Sequence, residues 1–426
     1  MRATTKLLSL SLQAALLLGL ATGCGGPEDN NTDQMQSNNT SPETSSQEFE
    51  VVQEREPYEG EYDYGLGRTM REANTAFAFD IYGKLRGEDN KNLVISPFSI
   101  SRAFSNYYKG AEDSPVKPAF EQVFRFSEEM DNESWKMLTA WVSDRSEYDD
   151  VPEAERSLFV SSDIYWIDDN YPDKRGNFDR THMLDLNGEP EKSRGIINDW
   201  IEEKSFGLLT DFIDKGLIDP DTEAVTTNVV FFAGAWAGEM EEKPAISFQA
   251  AGGVEETDAF GNSYEDVRAG SNDEISVATI PYAHDYNMVV MMPHGDFEAF
   301  ANGLNAERYG EVLGVQDRAA LTFSMPEFDS ASNPDIVGAI DSLRQDTGTS
   351  DGGTLSGAFL ETYIHKANIS VSKEGTRAAA ATVIIEYANS EPEPAPPLEI
   401  VFDKPFVYTI TDSSGHILFM GEYTGK

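Results

Sequence analysis

The chain has 426 residues, enough for two or three average domains or for one large domain with extensions. Hydrophobic residues at 39% and aromatic residues at 11% exclude a wholly disordered chain, and 34 Gly and 20 Pro are too few for a fibrous one. With 32 Lys and Arg against 75 Asp and Glu the net charge is -43, which excludes sequence-independent binding to nucleic acid, because phosphate neutralisation needs clustered cations.

Arg2 and Lys6 precede an apolar stretch from Leu7 to Leu20. It is shorter than the roughly 20 residues that a membrane-spanning helix needs, and it fits the core of a signal peptide occupying residues 1–23. Ala21-Thr22-Gly23-Cys24 follows, small residues leading to the single cysteine of the chain. This resembles the lipobox of bacterial lipoproteins, and the resemblance implies lipidation at Cys24 and anchoring to a membrane without spanning it. The expected location is therefore outside the cytoplasm, at the cell envelope or cell surface, and otherwise extracellular. With one cysteine no internal disulfide can form. Residues 24–65 are rich in Asn, Gln, Ser, Thr, Glu and Pro and show no helical or strand period. They read as a flexible acidic and polar tether, and a coil of about 40 residues has a root-mean-square span of about 35 Å.

From residue 66 to residue 426 a single domain is expected, with no fixed-period repeat. Phe77, Ile81 and Leu85 recur at helical spacing, and Leu93-Val94-Ile95 reads as a strand. Ser96-Pro97 has the chemistry of a helix entry, an oxygen to cap the first free N–H groups and a proline whose missing N–H costs nothing there. Helical spacing returns from Gly195 to Phe212. The second half changes period: Ala224–Phe232, Ile275–Tyr282, Asn287–Met292, Ala320–Met325, Ile364–Val371, Ile400–Phe402, Phe406–Ile410 and Ile417–Tyr423 are β-rich or alternating. Val289-Val290-Met291-Met292 is apolar on both faces, as in a central strand of a covered sheet. An α+β domain with helices packed around a large sheet is expected.

Familiar enzyme motifs are scarce. There are five histidines and no HExxH, paired CxxC or Walker loop. Gly348-Thr349-Ser350-Asp351-Gly352 matches the nucleophile-elbow pattern, but it follows the helix-like Asp335–Arg344 instead of a strand and reads as a Gly-rich loop. Asp219, Asp221 and Glu223 alternate like the start of a calcium loop, yet Ala224 stands where the sharp-turn glycine belongs, so a polar turn is expected and no metal.

Lys373-Glu374-Gly375-Thr376-Arg377-Ala378-Ala379-Ala380-Ala381-Thr382 is the informative segment. It can be an alanine helix, or a strand with Thr376, Ala378, Ala380 and Thr382 on one uniformly small face. Residues Glu374 to Thr382 resemble the hinge of the reactive-centre loop of serpins, and other segments agree in order. Asn74 with Phe77-Ala78 and Tyr82, Ile95-Ser96-Pro97-Phe98-Ser99-Ile100 with Gly110-Ala111, and Asn198-Asp199-Trp200 with Gly207 are similar to serpin stretches. So are Thr227 to Trp236, Ile280-Pro281-Tyr282, Met291-Met292-Pro293, His365-Lys366-Ala367, Phe402 to Phe406 and Leu418 to Gly421. The resemblance runs over about residues 70–423.

What the resemblance implies is a serpin fold and an inhibitor acting as a suicide substrate. An exposed loop, about residues 374–397, baits a protease, is cut, inserts as a new strand and traps the acylated enzyme. The implied target is a serine protease, with a cysteine protease as an alternative. A non-inhibitory binding protein of the same fold is the competing reading. The protein is expected to be a monomer without a cofactor, and not an enzyme. By register the bait bond is Asn389-Ser390, with Tyr387, Ala388 and Glu391 as alternative determinants. Ser96, Ser99, Asn228 and His365 would form a polar cluster under the sheet that governs its opening, with Trp236 at the top. Lys373 and Arg377 depart from the family, which has Glu there, and both are expected to face solvent or a strand edge.

Overall fold

A computed structural model of the chain describes residues 49–53, 58–87, 92–111, 116–143, 157–170, 180–205, 207, 209–250, 252–346, 348, 363–376 and 397–425. Strand β1 (Glu50–Gln53) precedes helix α1 (Tyr64–Leu85), which Asp63 caps by accepting hydrogen bonds from the Gly65 and Leu66 amides. Strand β2 (Leu93–Ile95) leads directly into α2 (Pro97–Gly110), where the Ser96 side chain accepts from the Ser99 amide and Pro97 opens the first turn. Helices α3 (Lys117–Phe124) and α4 (Asn132–Ser143) follow, then β3 (Leu158–Asp168), β4 (Thr181–Leu184) and α5 (Pro190–Lys204). The chain continues with β5 (Ala224–Ala233), β6 (Glu241–Ala250), β7 (Gly253–Gly261), β8 (Ser263–Ser271), β9 (Ile275–Pro281) and β10 (Tyr286–Pro293). Two short helices, α6 (Phe297–Gly303) and α7 (Ala306–Leu313), precede β11 (Asp317–Pro326), β12 (Phe328–Ser332) and α8 (Ile336–Asp346). The remaining strands are β13 (Tyr363–Ser372), β14 (Gly375–Thr376), β15 (Leu398–Val401), β16 (Phe406–Asp412) and β17 (Ile417–Tyr423).

The strands form two sheets. The first has the order β1-β4-β3-β5-β13-β12, with β14 added to β13; the second runs β2-β17-β16-β10-β9-β8-β11-β7-β6, with β15 beside β11. The fold is that expected: helices around a large β-sheet, with a second sheet alongside. Burial follows the strand period on β5. Val225 and Val229 join Trp166, Ile197, Ile201 and Phe212 in a core between the sheet and α5, while Ala224, Val230 and Phe232 join the main core beneath α1 and α2. A strand covered on both faces is apolar at nearly every position, which is why this run was legible. Val289 to Met292 lie in β10, a central strand flanked by β9 and β16.

Two expectations are corrected. The helix read at Gly195–Phe212 is α5, which starts at Pro190 and stops at Lys204. Gly207 at φ 74° sits just past its end, and Leu209, Phe212, Ile213 and Ile218 continue in irregular backbone over the same core. Apolar spacing persists there because the segment still covers the sheet, not because it is helical. Secondly, the stretch read as a structureless tether, residues 24–65, contains β1, and α1 already starts at Tyr64.

Candidate functional site

Strands β5 and β13 are parallel neighbours, yet they pair only from Tyr363–Lys366 against Thr226–Val229. Beyond Lys366 the strands part. Between them lies a cavity of about 420 Å³ lined by Val230, Phe231 and Phe232 on one side and Asn368, Ile369 and Ser370 on the other. Two strand edges that part in this way are a template for an added strand.

The mouth of this gap is already occupied. Thr376 of β14 pairs with Val371 of β13, and its amide and carbonyl each bond to Gly234 across the gap at 2.8 Å. The Thr376 side chain is fully buried and its hydroxyl bonds to that of Tyr282, whose ring stacks on Trp236 at 4.2 Å. Burial raises the Tyr282 phenol well above its ordinary pKa, so it stays protonated. The Trp236 indole N–H donates to the Ser372 carbonyl at 2.9 Å. Two glycines make room: Gly375 adopts φ 132°, which side chains rarely tolerate, and a Cβ on Gly234 would lie 2.5 Å from the Phe232 ring.

Where β5 and β13 are still paired, His365 lies opposite Asn228. The structure brings together all four polar residues singled out in the sequence. The Ser99 hydroxyl donates to Asn228 Oδ1 at 2.7 Å, and the His365 ring approaches the same oxygen through Nδ1 at 3.1 Å. The Ser96 amide donates to His365 Nε2 at 3.3 Å, and the Ser96 hydroxyl donates to the Leu418 carbonyl at 2.6 Å. An Nε2 that accepts must be unprotonated, so the ring is the neutral Nδ1–H tautomer. Burial agrees, pushing the His365 pKa down to about 3. Ser161 of β3 completes the cluster at 3.0 Å from Ser99 Oγ.

Lys373, the residue that departs from the family pattern, lies between two acids: its amide donates to Glu327 at 3.2 Å and its ammonium is 3.7 Å from Glu242. Glu374 accepts from the Ser372 hydroxyl at 2.8 Å. Arg377, the rest of the hinge (Ala378, Ala379, Ala380, Ala381, Thr382), the bait positions Tyr387, Ala388, Asn389, Ser390 and Glu391, and also Ser350 and Cys24, lie outside the described residues. Ser161 and Tyr282 were not singled out as site residues. Tyr282 stood within a quoted motif, but nothing in the sequence says that its hydroxyl meets Thr376. The carboxylates of Asp168, Asp169 and Asp185 lie within 4.8 Å of one another, but Asp168 already accepts from Asn170 and Asn187 and Asp185 from Gly188, which makes the trio a turn network.

The site therefore offers a strand-wide gap, a closed polar cluster and a chain segment entering the mouth. Residues 72–425 match the family model described as serpin (serine protease inhibitor). An uncharacterised serpin-like protein of Methanosarcina mazei is 28% identical over 386 residues, covering 84% of this chain and 87% of the relative. The native thermophilic serpin tengpin superposes with a TM-score of 0.64 at 17% identity over 88% of this chain and 100% of its own. Uncleaved ovalbumin does so with a TM-score of 0.67 at 17% identity, over 84% of this chain and 100% of its own.

Proposed function

Since the chain belongs to the serpin family, whose members as a group inhibit proteases, we propose that it traps its target as a suicide substrate. The observation that carries this reading is the gap between β5 and β13, open over a volume of about 420 Å³ and entered by Thr376. In the proposed sequence the protease nucleophile attacks the carbonyl of Asn389, forming an acyl bond to that residue and releasing the amine of Ser390. The freed segment then follows Thr376 into the gap, small side chains inward, and carries the acylated protease with it. Small, uncharged inward residues are what this step requires, because an unpaired charge taken into the sheet costs several kcal/mol. Thr376, Ala378, Ala380 and Thr382 meet that requirement.

Three finer assignments belong to the same reading. The target is a serine protease, with Asn389 as the specificity residue and a cysteine protease of asparagine preference as the alternative. The protein is exported and held at the envelope by lipid on Cys24. The polar cluster of Ser96, Ser99, Asn228 and His365 acts as the fastener that sets how readily β5 and β13 part.

The deciding experiment incubates the protein with a panel of serine and cysteine proteases and resolves the products on denaturing gels, with mass spectrometry of the released peptide. A covalent complex with one protease and a new N-terminus at Ser390 is the expected result. Cleavage within residues 387–391 without a complex, and without a rise in thermal midpoint, would overturn the inhibitory reading in favour of a binding protein of the same fold.

A further inference from the structure

The family match begins at residue 72, but the folded body begins earlier. Strand β1 lies antiparallel on the outer edge of β4, pairing Glu50 with Met183, Val51 with His182 and Gln53 with Thr181. Just before it, the Phe49 ring stacks on the His182 ring at 4.7 Å and meets Trp166 edge-on at 5.3 Å. Both of those rings pack edge-on against Trp200 of α5, at 6.2 Å and 5.8 Å. A continuous set of rings thus runs from the N-terminal segment, through two strands of the sheet, to the helix lying across it.

That helix matters for the gap. Helix α5 and the irregular residues after it cover this face of the sheet, and Leu209 of that cover lines the cavity between β5 and β13. A strand entering the gap meets the cover and must displace it, so whatever pins α5 opposes entry. Strand β4 is four residues long and, without β1, would leave its outer N–H and C=O groups unpaired. The local sequence Phe49-Glu50-Val51-Val52-Gln53 suits the edge: one ring for the socket, then β-branched residues.

We propose that the outer edge of β4, with its socket of His182 and Trp166, is a docking site for an extended segment bearing one aromatic ring, that its occupant is this chain's own Phe49–Gln53, and that docking braces α5 against displacement. The contact is built for release. One ring and three residue pairs oppose the conformational entropy of ordering five residues, and the two are of similar size. The effect on trapping rests on the inhibitory reading; the docking does not.

The test uses hydrogen–deuterium exchange on the full chain, comparing wild type with Phe49→Ala and Phe49→Trp. Exchange at residues 181–184 and 197–204 is expected to rise at least tenfold in Phe49→Ala and to stay near wild type in Phe49→Trp. A labelled peptide of residues 47–54 is expected to bind Phe49→Ala at least tenfold more tightly than wild type, and the same peptide with Ala for Phe to bind neither. Unchanged exchange in both segments would overturn the docking; a rise at 181–184 alone would overturn the brace. With a trapped protease, Phe49→Ala is expected to raise the rate of complex formation at least threefold, and an unchanged rate would sever docking from trapping. If wild type traps no protease, the inhibitory reading fails while exchange and peptide binding still decide the docking.

Discussion

Asn228 Oδ1 takes hydrogen bonds from two partners, the Ser99 hydroxyl and the His365 ring, and this leaves His365 no route to a second proton. A proton added at Nε2 would face the Ser96 amide, which already donates there. The sign of the pH effect follows. The unfolded histidine titrates near 6.5 and the folded one near 3. Between those values the unfolded state binds the extra proton, so stability falls as pH falls, by up to about 1.4 kcal/mol per pH unit. From pH 7 to pH 5 this one group is expected to cost roughly 2 kcal/mol. His365→Asn should lose that share, measured as the difference between the two proteins' denaturant-unfolding free energies at the two pH values. Equal pH dependence in both would refute the assignment of the neutral tautomer. The same acidification should make local parting of β13 from β5 more frequent, since parting frees the ring to take its proton. The members of this cluster were legible because they sit in family motifs. Ser161 was not: it lies in Ser161-Ser162-Asp163 of β3, a polar interruption that breaks the apolar pattern of the strand. Ser161 answers Ser99 and Asp163 answers Asn106, partners that only the fold brings near.

Strand β14 is two residues long, yet on the inhibitory reading it sets where the incoming segment enters. Thr376 is held by backbone bonds to Gly234 and by its hydroxyl to Tyr282, with no space around the side chain for a solvated charge. Thr376→Arg therefore confronts the chain with a choice. Keeping β14 in place buries an unpaired guanidinium at a cost of several kcal/mol, whereas withdrawing β14 returns the charge to water. Withdrawal is the cheaper course, so the uncut protein is expected to remain folded, with a thermal midpoint within a few degrees of wild type. After cleavage the mutant should fail to insert its loop: a protease trapped by wild type turns it over as substrate, and cutting no longer raises the midpoint. Thr376→Ser, which keeps the hydroxyl, should behave as wild type, and trapping by Thr376→Arg at the wild-type rate would refute the role given to β14. Elements differed in how plainly the chain announced them. Strands β5 and β10 are covered on both faces and spell out apolar runs. Strands β6, β7 and β8 each turn one face to water, and with Glu241-Glu242-Lys243-Pro244 and Tyr264-Glu265-Asp266 they offer no apolar run that would announce a strand. Strand β1 was hidden differently, its two valines and the Phe49 before it set in a polar acidic stretch whose composition argued against any structure.

At the scale of the whole molecule the charge of -43 and the single Cys24 bear on one question, how the body relates to a membrane. Among the described residues no helix is long and apolar enough to cross a bilayer; the proposed attachment is lipid on Cys24, and its rival is the protein surface. The surface is a poor candidate. Anionic headgroups repel so acidic a body, and although this repulsion decays over about 8 Å at physiological salt, it acts at contact, where a surface site would have to form. On the proposed anchoring, lipid on Cys24 and an acidic body would work together, one holding the chain at the membrane and the other keeping the body off it. The expected outcome is that wild type expressed with its leader partitions into detergent, while Cys24→Ser stays in the aqueous phase and does not bind vesicles of mixed neutral and anionic lipid at 0.15 M salt. Partition of Cys24→Ser with detergent would refute the anchor. Binding of that variant to the vesicles would show that the body carries a membrane contact of its own strong enough to overcome the charge, and separate variants of the exposed apolar residues Tyr64 and Val254 would then be the ones to make.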